Sequence, residues 1–490
     1  MKKINFEISK KTENIITWGL VVICALCYIS LVFNRNVWLD EAFTASLVRT
    51  DMAGVLERSM EDTLPPLYNI LLKISTDIFG YTVPVMKMTS VMPMIVILIL
   101  SATVVRKRHG FKTSVLFTIA MTAMPNLLFF GVEIRMYSLG LLFATAAGIY
   151  GYEVICDYSK KNLIIFALVT ALAGYSHHFA FVTIGFVYLF MLLYYFFLER
   201  KNIKRWFFCL IGTIVLYFPC LLVTLKQFKS VSGYFSMPDV TLSVFIKYMR
   251  YPYTVGNTVA TIMLLILVAT VLLYTVLRLV SFAKKVRESH SLDEGILRES
   301  NPEELRDMYA ISMFLVYYGV LVFGTVISKF MTANIFVDRY LLFAHGLLWL
   351  FVAIEAGRFE KYYYVIIVVF IFVGICGYIN EYKIEYSENP DKLIAFLDSY
   401  VDSGDILYAV EDSEEMAFCL PFYDEELTNY ENLKEAIKVK EDTNENMWIS
   451  VIDYAEYDFR ELEEYGFEAN YVDTFTFDRY TVDIYEVISK

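Results

Sequence analysis

Long apolar runs separated by short polar breaks dominate this chain. They cover Ile15–Phe33, Val83–Val105, Ser114–Phe130, Ser138–Ile155, Leu163–Tyr175, Phe179–Leu198, Trp206–Leu225, Thr258–Val280, Met308–Ile327, Leu341–Ala356 and Tyr363–Gly377. A run of about 20 apolar residues matches the thickness of a bilayer when helical, so the pattern predicts a polytopic α-helical membrane protein with about 11 spans. No run alternates with period two, as the strands of a membrane β-barrel would. The run Leu67–Phe79, opened by Pro65-Pro66 and closed by Gly80, is borderline in length for a further span. Between the first two spans, Ala42–Met60 reads as one amphipathic helix on the membrane surface, with Phe43, Leu47, Val48, Val55 and Leu56 on one side.

The pattern changes near Tyr378. From about Asn380 to Lys490, short β-rich runs (Ile406–Val410, Trp448–Val451, Tyr471–Phe477, Tyr480–Val487) alternate with helix-like ones (Lys392–Val401, Asn432–Lys438, Tyr457–Tyr465). This predicts a soluble α/β domain over 380–490 behind a membrane module over 1–379, whose first outer loop is 34–82. The domain carries no glycine-rich phosphate loop and no metal-ligand spacing, and its plainest role is docking or shielding.

Composition agrees: 57% of the 490 residues are hydrophobic. The net charge of −12 hides an asymmetry, since the last 110 residues hold roughly 30 acids against 8 bases and the membrane module is net basic. Lys2, Lys3, Lys10, Lys11, Arg106–Arg108, Lys160-Lys161, Arg200–Arg205 and Lys284–Arg287 all fall on one side if the spans alternate. The positive-inside rule makes that side cytoplasmic and the acidic tail extracytoplasmic. The lysines before the first run have no small-residue cleavage site behind them, so the first helix reads as retained. The seven cysteines give no disulfide framework, and Cys24-x-x-Cys27 is two small apolar residues on one helix face.

The outer side collects the reactive side chains. Asp40 and Glu41 follow the first span, Glu133 and Arg135 the third, His177 and His178 the fifth, and Asp338 and Arg339 precede the tenth. The long loop Lys226–Asn257 joins them. Carboxylates suit a proton-accepting role, and guanidinium groups bind phosphate through a two-pronged fork. A phosphate at a membrane surface points to a lipid phosphate, and hence to sugar transfer from a lipid carrier. One base and a good leaving group would invert the anomeric carbon.

Five motifs occur in order: Asp40-Glu41, Pro65-Pro66-Leu67-Tyr68, Glu133-Ile134-Arg135-Met136-Tyr137, Tyr175-Ser176-His177-His178 and Arg339-Tyr340-Leu341-Leu342. The set resembles the GT-C glycosyltransferases, in the bacterial branch similar to protein O-mannosyltransferases and the lipid A aminoarabinose transferase. It covers about Asn14–Gly377, and it is the order of the motifs that is specific. The resemblance implies a polyprenyl-phosphate sugar donor, an envelope acceptor of unspecified kind, and action at the outer face of a bacterial cytoplasmic membrane. It implies Asp40 as catalytic base, with Glu41 supporting it or contacting the acceptor. It places Tyr68, Glu133, Arg135, Tyr137, His177, His178, Arg339 and Tyr340 in the substrate site. Leu64 departs from relatives that carry His or Lys before the Pro-Pro, which leaves Lys73, Lys329 or Arg339 to supply that contact.

Each residue also has a plainer reading. Asp40 suits a helix N-cap and Glu41 a first helical turn. Glu133 and Arg135, or Asp338 and Arg339, could simply pair. Tyr340 suits an interfacial aromatic belt. Adjacent histidines on a helix point about 100° apart and no third ligand is evident, so no cofactor is indicated, although a divalent metal stays open. No nucleic-acid partner is expected. Rival classes are a transporter or flippase of lipid-linked sugars, which would show polar midplane helices and repeated halves, and a non-catalytic envelope scaffold.

Overall fold

The computed structural model describes residues 9–231, 240–288, 302–330, 334–387, 390–410, 414–424, 426–430, 432–453, 455–477 and 480–490. Lys2 and Lys3, and residues 289–301 of the charged stretch between the eighth and ninth apolar runs, lie outside these residues.

The apolar runs form helices, and the chain is a polytopic α-helical membrane protein with a small C-terminal sheet domain. Among the described residues, nine helices are long and apolar enough to cross a membrane. The count is ten if the bent pair Phe111–Ala123 and Pro125–Val132 is one span. About eleven were expected. The third run is broken by 69° at Pro125, whose ring has no N–H to continue the ladder. The fifth, Lys160–Ser176, is a helix of only 17 residues.

Two further expectations need correction. Ala42–Met60 is two helices, Leu39–Leu47 and Met52–Glu61. Asp51 breaks it, because its carboxylate accepts from the Gly54 N–H at 2.9 Å and so caps a new helix. The Lys226–Asn257 stretch is not simply a loop. The helix Ile203–Val231 runs into it, and it contains a helix Leu242–Arg250 capped by Thr241 and a short turn Tyr251–Tyr253.

The chain divides into two compact units. One comprises Met1–Ser30, Leu56–Leu71 and Met88–Glu381; the other comprises Leu31–Val55, Leu72–Lys87 and Tyr382–Lys490.

In the first unit the span Asp338–Ala356 is the most enclosed, with 89% of it buried. Its approach to the helix Tyr137–Cys156 depends on small residues. A Cβ on Gly346 would collide with Thr145 Oγ1, and one on Gly148 would collide with Leu347 Cδ2. Small residues let helix backbones come close where lipid supplies no hydrophobic drive between helices. Trp349 is fully buried there, edge-on to Tyr253 and Phe370.

Among its described residues the second unit forms one five-stranded sheet. Its strands are β1 (Ile406–Ala409), β2 (Thr428–Tyr430), β3 (Met447–Ile452), β4 (Phe467–Phe477) and β5 (Tyr480–Ser489), in the order β2-β1-β3-β5-β4. β1 runs parallel to β2 and β3, while β5 pairs antiparallel with β3 and β4. Ile406, Tyr408, Ile449 and Val487 pack on one face against Leu433, Ala436 and Ile437 of the helix Leu433–Thr443. β2 and the helix Glu414–Tyr423 are additions to the predicted elements.

Candidate active site

The two units carry different parts of the predicted site: Asp40, Glu41 and the candidate Lys73 belong to the second, and the other named residues to the first. In the second unit, Leu39–Leu47 starts the helix after Trp38, so Asp40 lies inside the first turn and is not the N-cap. Glu41 is buried, and its Oε2 accepts from the Trp38 backbone N–H at 3.3 Å. That is half of a capping box, and it ties Glu41 to the helix end.

The helix is held by Glu414–Tyr423. Phe43 meets Phe418 edge-on at 5.5 Å. The Tyr423 hydroxyl accepts from the Val37 N–H at 3.2 Å. Upstream, Lys87 donates to the Asn34 side-chain carbonyl, and the Asn34 amide donates to Glu385. Lys87 Nζ lies 3.8 Å from Glu385 Oε2, with both side chains almost fully buried. Lys73, one candidate for the missing donor contact, is paired with Asp77 at 2.6 Å.

In the first unit, the break between Pro125–Val132 and Tyr137–Cys156 is a buried non-helical turn. There the Arg135 N–H donates to the Glu133 carbonyl at 2.7 Å. Both side chains are buried. The turn is anchored through Ser90, whose Oγ donates to the Arg135 carbonyl at 3.4 Å and lies 2.7 Å from the Tyr68 hydroxyl. Tyr68 therefore braces the Glu133–Arg135 turn.

His177 sits at the junction of the helices Lys160–Ser176 and His178–Leu198, with extended backbone. Its Nδ1 accepts from the Phe179 N–H at 3.0 Å, which puts the ring proton on Nε2 in a neutral imidazole. Nε2 is buried and has no hydrogen-bond partner among the described residues. The ring packs against Phe343 at 4.6 Å, Tyr340 at 4.8 Å and Tyr137 at 6.4 Å between centroids. Burial first, then His178, Arg135 and Arg339, hold its pKa well below the usual histidine value. Both guanidinium groups are thus near enough to be felt by one imidazole.

His178 diverges from this group. Its Nε2 lies 3.2 Å from the Thr63 carbonyl, while Gln227 donates to the Leu64 carbonyl at 2.7 Å. It fixes the Thr63-Leu64-Pro65 turn, and the two imidazoles do not form a metal pair. Among the described residues, no three His, Cys, Asp or Glu side chains gather as a metal site.

Tyr251 is the residue the sequence reading missed. Its phenol is pushed well above its ordinary pKa by burial, then by Asp338, Glu133 and Tyr137, with Arg339 opposing. The charges of those groups thus reach its phenol. Its backbone carbonyl accepts from Asn126 at 2.8 Å, and its ring lies 5.4 Å from His345. The available signal was Tyr251-Pro252-Tyr253, an aromatic–proline turn just before a span on the predicted outer side. The first unit thus gathers two guanidinium groups, two carboxylates, an imidazole N–H and several phenols, a set suited to phosphate and sugar hydroxyls.

No protein-family model matches the chain, and no curated protein matches it in sequence. Its fold is nonetheless that of ArnT. The structure of ArnT from Cupriavidus metallidurans in the apo state superposes with a TM-score of 0.61 and 9% identity, covering 95% of this chain and 97% of that one. The same protein bound to undecaprenyl phosphate gives 0.63 and 10% identity, with the same coverage. The GT-C resemblance read from the motif order therefore holds at the level of fold.

Proposed function

We propose that the chain is an inverting glycosyltransferase. It moves a sugar from a polyprenyl-phosphate carrier to an envelope acceptor at the outer face of a bacterial cytoplasmic membrane. The amino terminus is cytoplasmic and the 380–490 domain extracytoplasmic. One observation carries the reading: the positive charges of Arg135 and Arg339 both act on the buried His177 imidazole, in a fold whose solved counterpart, ArnT, is seen bound to undecaprenyl phosphate.

In the proposed reaction Asp40 accepts the proton of the acceptor hydroxyl. The acceptor oxygen forms a bond to the anomeric carbon while the bond from that carbon to the phosphate oxygen breaks. The electron pair leaves on polyprenyl phosphate, and attack from the opposite face inverts the centre. Arg135 and Arg339 neutralise the charge that develops on the phosphate, which is where fixed positive groups lower a barrier most. The His177 Nε2–H supplies a donor to the phosphate or to a sugar hydroxyl. Tyr137, Tyr340 and Tyr251 line the sugar.

The test is turnover of purified full-length chain with polyprenyl-phosphate sugars and envelope acceptors. Asp40→Asn should lower turnover by about 10²- to 10⁴-fold, the usual worth of a positioned base, while donor binding persists. Unchanged turnover would remove Asp40 from that role. Donor crossing the bilayer in vesicles without any product would favour a transporter instead.

A further inference from the structure

A polar cavity lies in the first unit, and none of the site residues named above lines it. It has a volume of about 710 Å³ among six described segments. These segments carry Glu13 and Ile16, His109–Lys112, Tyr274 and Arg278, Glu303 and Arg306, Gly357 and Arg358, and Tyr363–Tyr364.

Part of its charge is internally settled. Arg278 pairs with Asp307 at 3.0 Å and Glu303 at 3.4 Å. Arg358 pairs with Asp307 and, at 3.6 Å, with Glu355. Glu13 on the rim pairs with Arg106 at 3.3 Å. Two cations stay outside this frame. Arg306 has no ion pair and no hydrogen bond among the described residues, and its Nε is buried. Lys112 has no carboxylate partner there, and its ammonium rests 5.3 Å over the Tyr363 ring. Against them stands one lining acid without an ion pair, Glu360.

We propose that this cavity binds a phosphate ester through Arg306 and Lys112, and that the ester is the headgroup of an anionic phospholipid. A half-buried guanidinium with an unmet N–H is costly unless an acceptor arrives, and phosphate oxygens match its fork. The volume far exceeds one phosphate. Tyr274, Tyr364, Ile16 and Ile367 line the remainder and suit glycerol and the first methylenes of acyl chains. The helices that end here are the membrane-crossing ones, so the cavity lies at the depth of lipid headgroups. The Arg278–Asp307–Arg358–Glu355 frame holds the walls and leaves Arg306 and Lys112 to the ligand.

The proposal is independent of the proposed sugar transfer. The experiment is native mass spectrometry of full-length chain titrated with phosphatidylglycerol, and with phosphatidylcholine as the zwitterionic control. Arg306→Gln and Lys112→Gln should each weaken phosphatidylglycerol binding about tenfold, and the double variant further. Phosphatidylcholine binding should not change. Arg306→Lys should recover part of the loss, which separates a lost ligand contact from a lost fold, and Asp40→Asn should bind phosphatidylglycerol like the parent. Equal binding by parent and double variant would overturn the site. Displacement by micromolar glycerol 1-phosphate, with the same sensitivity to both variants, would overturn the lipid assignment in favour of a free phosphate ester.

Discussion

Replacing Lys87 with Met should loosen the segment that leads into Asp40, and the size of the effect follows from the buried pair. Lys87 and Glu385 have side chains only 3% and 8% exposed, and their charged atoms are 3.8 Å apart. At an effective dielectric near 20, unit charges at that distance attract by about 4 kcal/mol. Asn34 lies between them, accepting from Lys87 and donating to Glu385, and Asn36 donates to the Glu385 carbonyl at 3.3 Å. Removing the lysine leaves a buried carboxylate uncompensated, a change that costs about 3–5 kcal/mol. Local opening of residues 31–55 should then rise about 100-fold or more. Hydrogen–deuterium exchange resolved by mass spectrometry reads this directly. The double variant Lys87→Met/Glu385→Met should recover most of the protection, since both charges go together. Exchange of that segment within about threefold of the parent in Lys87→Met, or strictly additive single effects in the double variant, would refute the assignment.

Other expectations are independent of that pair. Glu41→Ala should cost about 1 kcal/mol through the lost capping contact and speed exchange in Leu39–Leu47. Asp40→Asn, by contrast, should leave exchange near the parent's while turnover collapses; equal effects of both changes on both readouts would contradict the division. His177→Phe should keep the aromatic packing against Phe343 and Tyr340 but remove the Nε2 donor, weakening donor binding by about tenfold in a direct binding assay. The folded His177 pKa is depressed, so the unfolded chain takes up its proton first. The stability it contributes is present above the free histidine value of about 6.5 and declines as pH falls below it, which His177→Phe should abolish in melting curves recorded from pH 7 to 5. Asp405→Ala should cost about 2–3 kcal/mol in the sheet domain, because this buried carboxylate accepts from Trp448 Nε1 at 2.9 Å; tryptophan emission during denaturation tracks it.

The membrane helices were legible because burial in lipid forces one physical pattern, a continuous apolar run, on each of them. Their breaks were legible only in part. Pro125 is visible in the sequence, yet its effect depends on whether the chain continues straight or turns, and Asp51 reads as one more polar residue until its carboxylate is seen to cap. In the α/β domain β1 and β3 stood out as β-rich runs, whereas β2 is three residues long with little apolar character. Lys87 lies inside an otherwise apolar run, and neither Asn34 nor Glu385, more than 50 and nearly 300 residues away, announces itself as its partner. Tyr251 escaped for the same reason: an aromatic residue near a membrane edge has a generic explanation, and only its neighbours distinguish it.

The adjacent carboxylates show how local geometry can separate two chemically similar neighbours. Because the helix begins at Leu39, Asp40 and Glu41 occupy successive positions in its first turn and point about 100° apart. Glu41 has the longer side chain and stands three residues after Trp38, so it can fold back to the Trp38 N–H and is buried in doing so. Asp40 is too short to make that contact from its position. Its backbone carbonyl serves the helix, accepting from the Thr44 hydroxyl at 2.8 Å. The helix end thus uses Glu41 as structure, and in the proposed reaction the proton-accepting role is given to Asp40. The double variant Asp40→Glu/Glu41→Asp, which exchanges the two side chains, tests this. The cap should be lost, because the shortened side chain at the second position cannot reach the Trp38 N–H, and the lengthened, displaced carboxylate at the first should fail as a base. Full turnover by that swapped chain would mean that either carboxylate can serve.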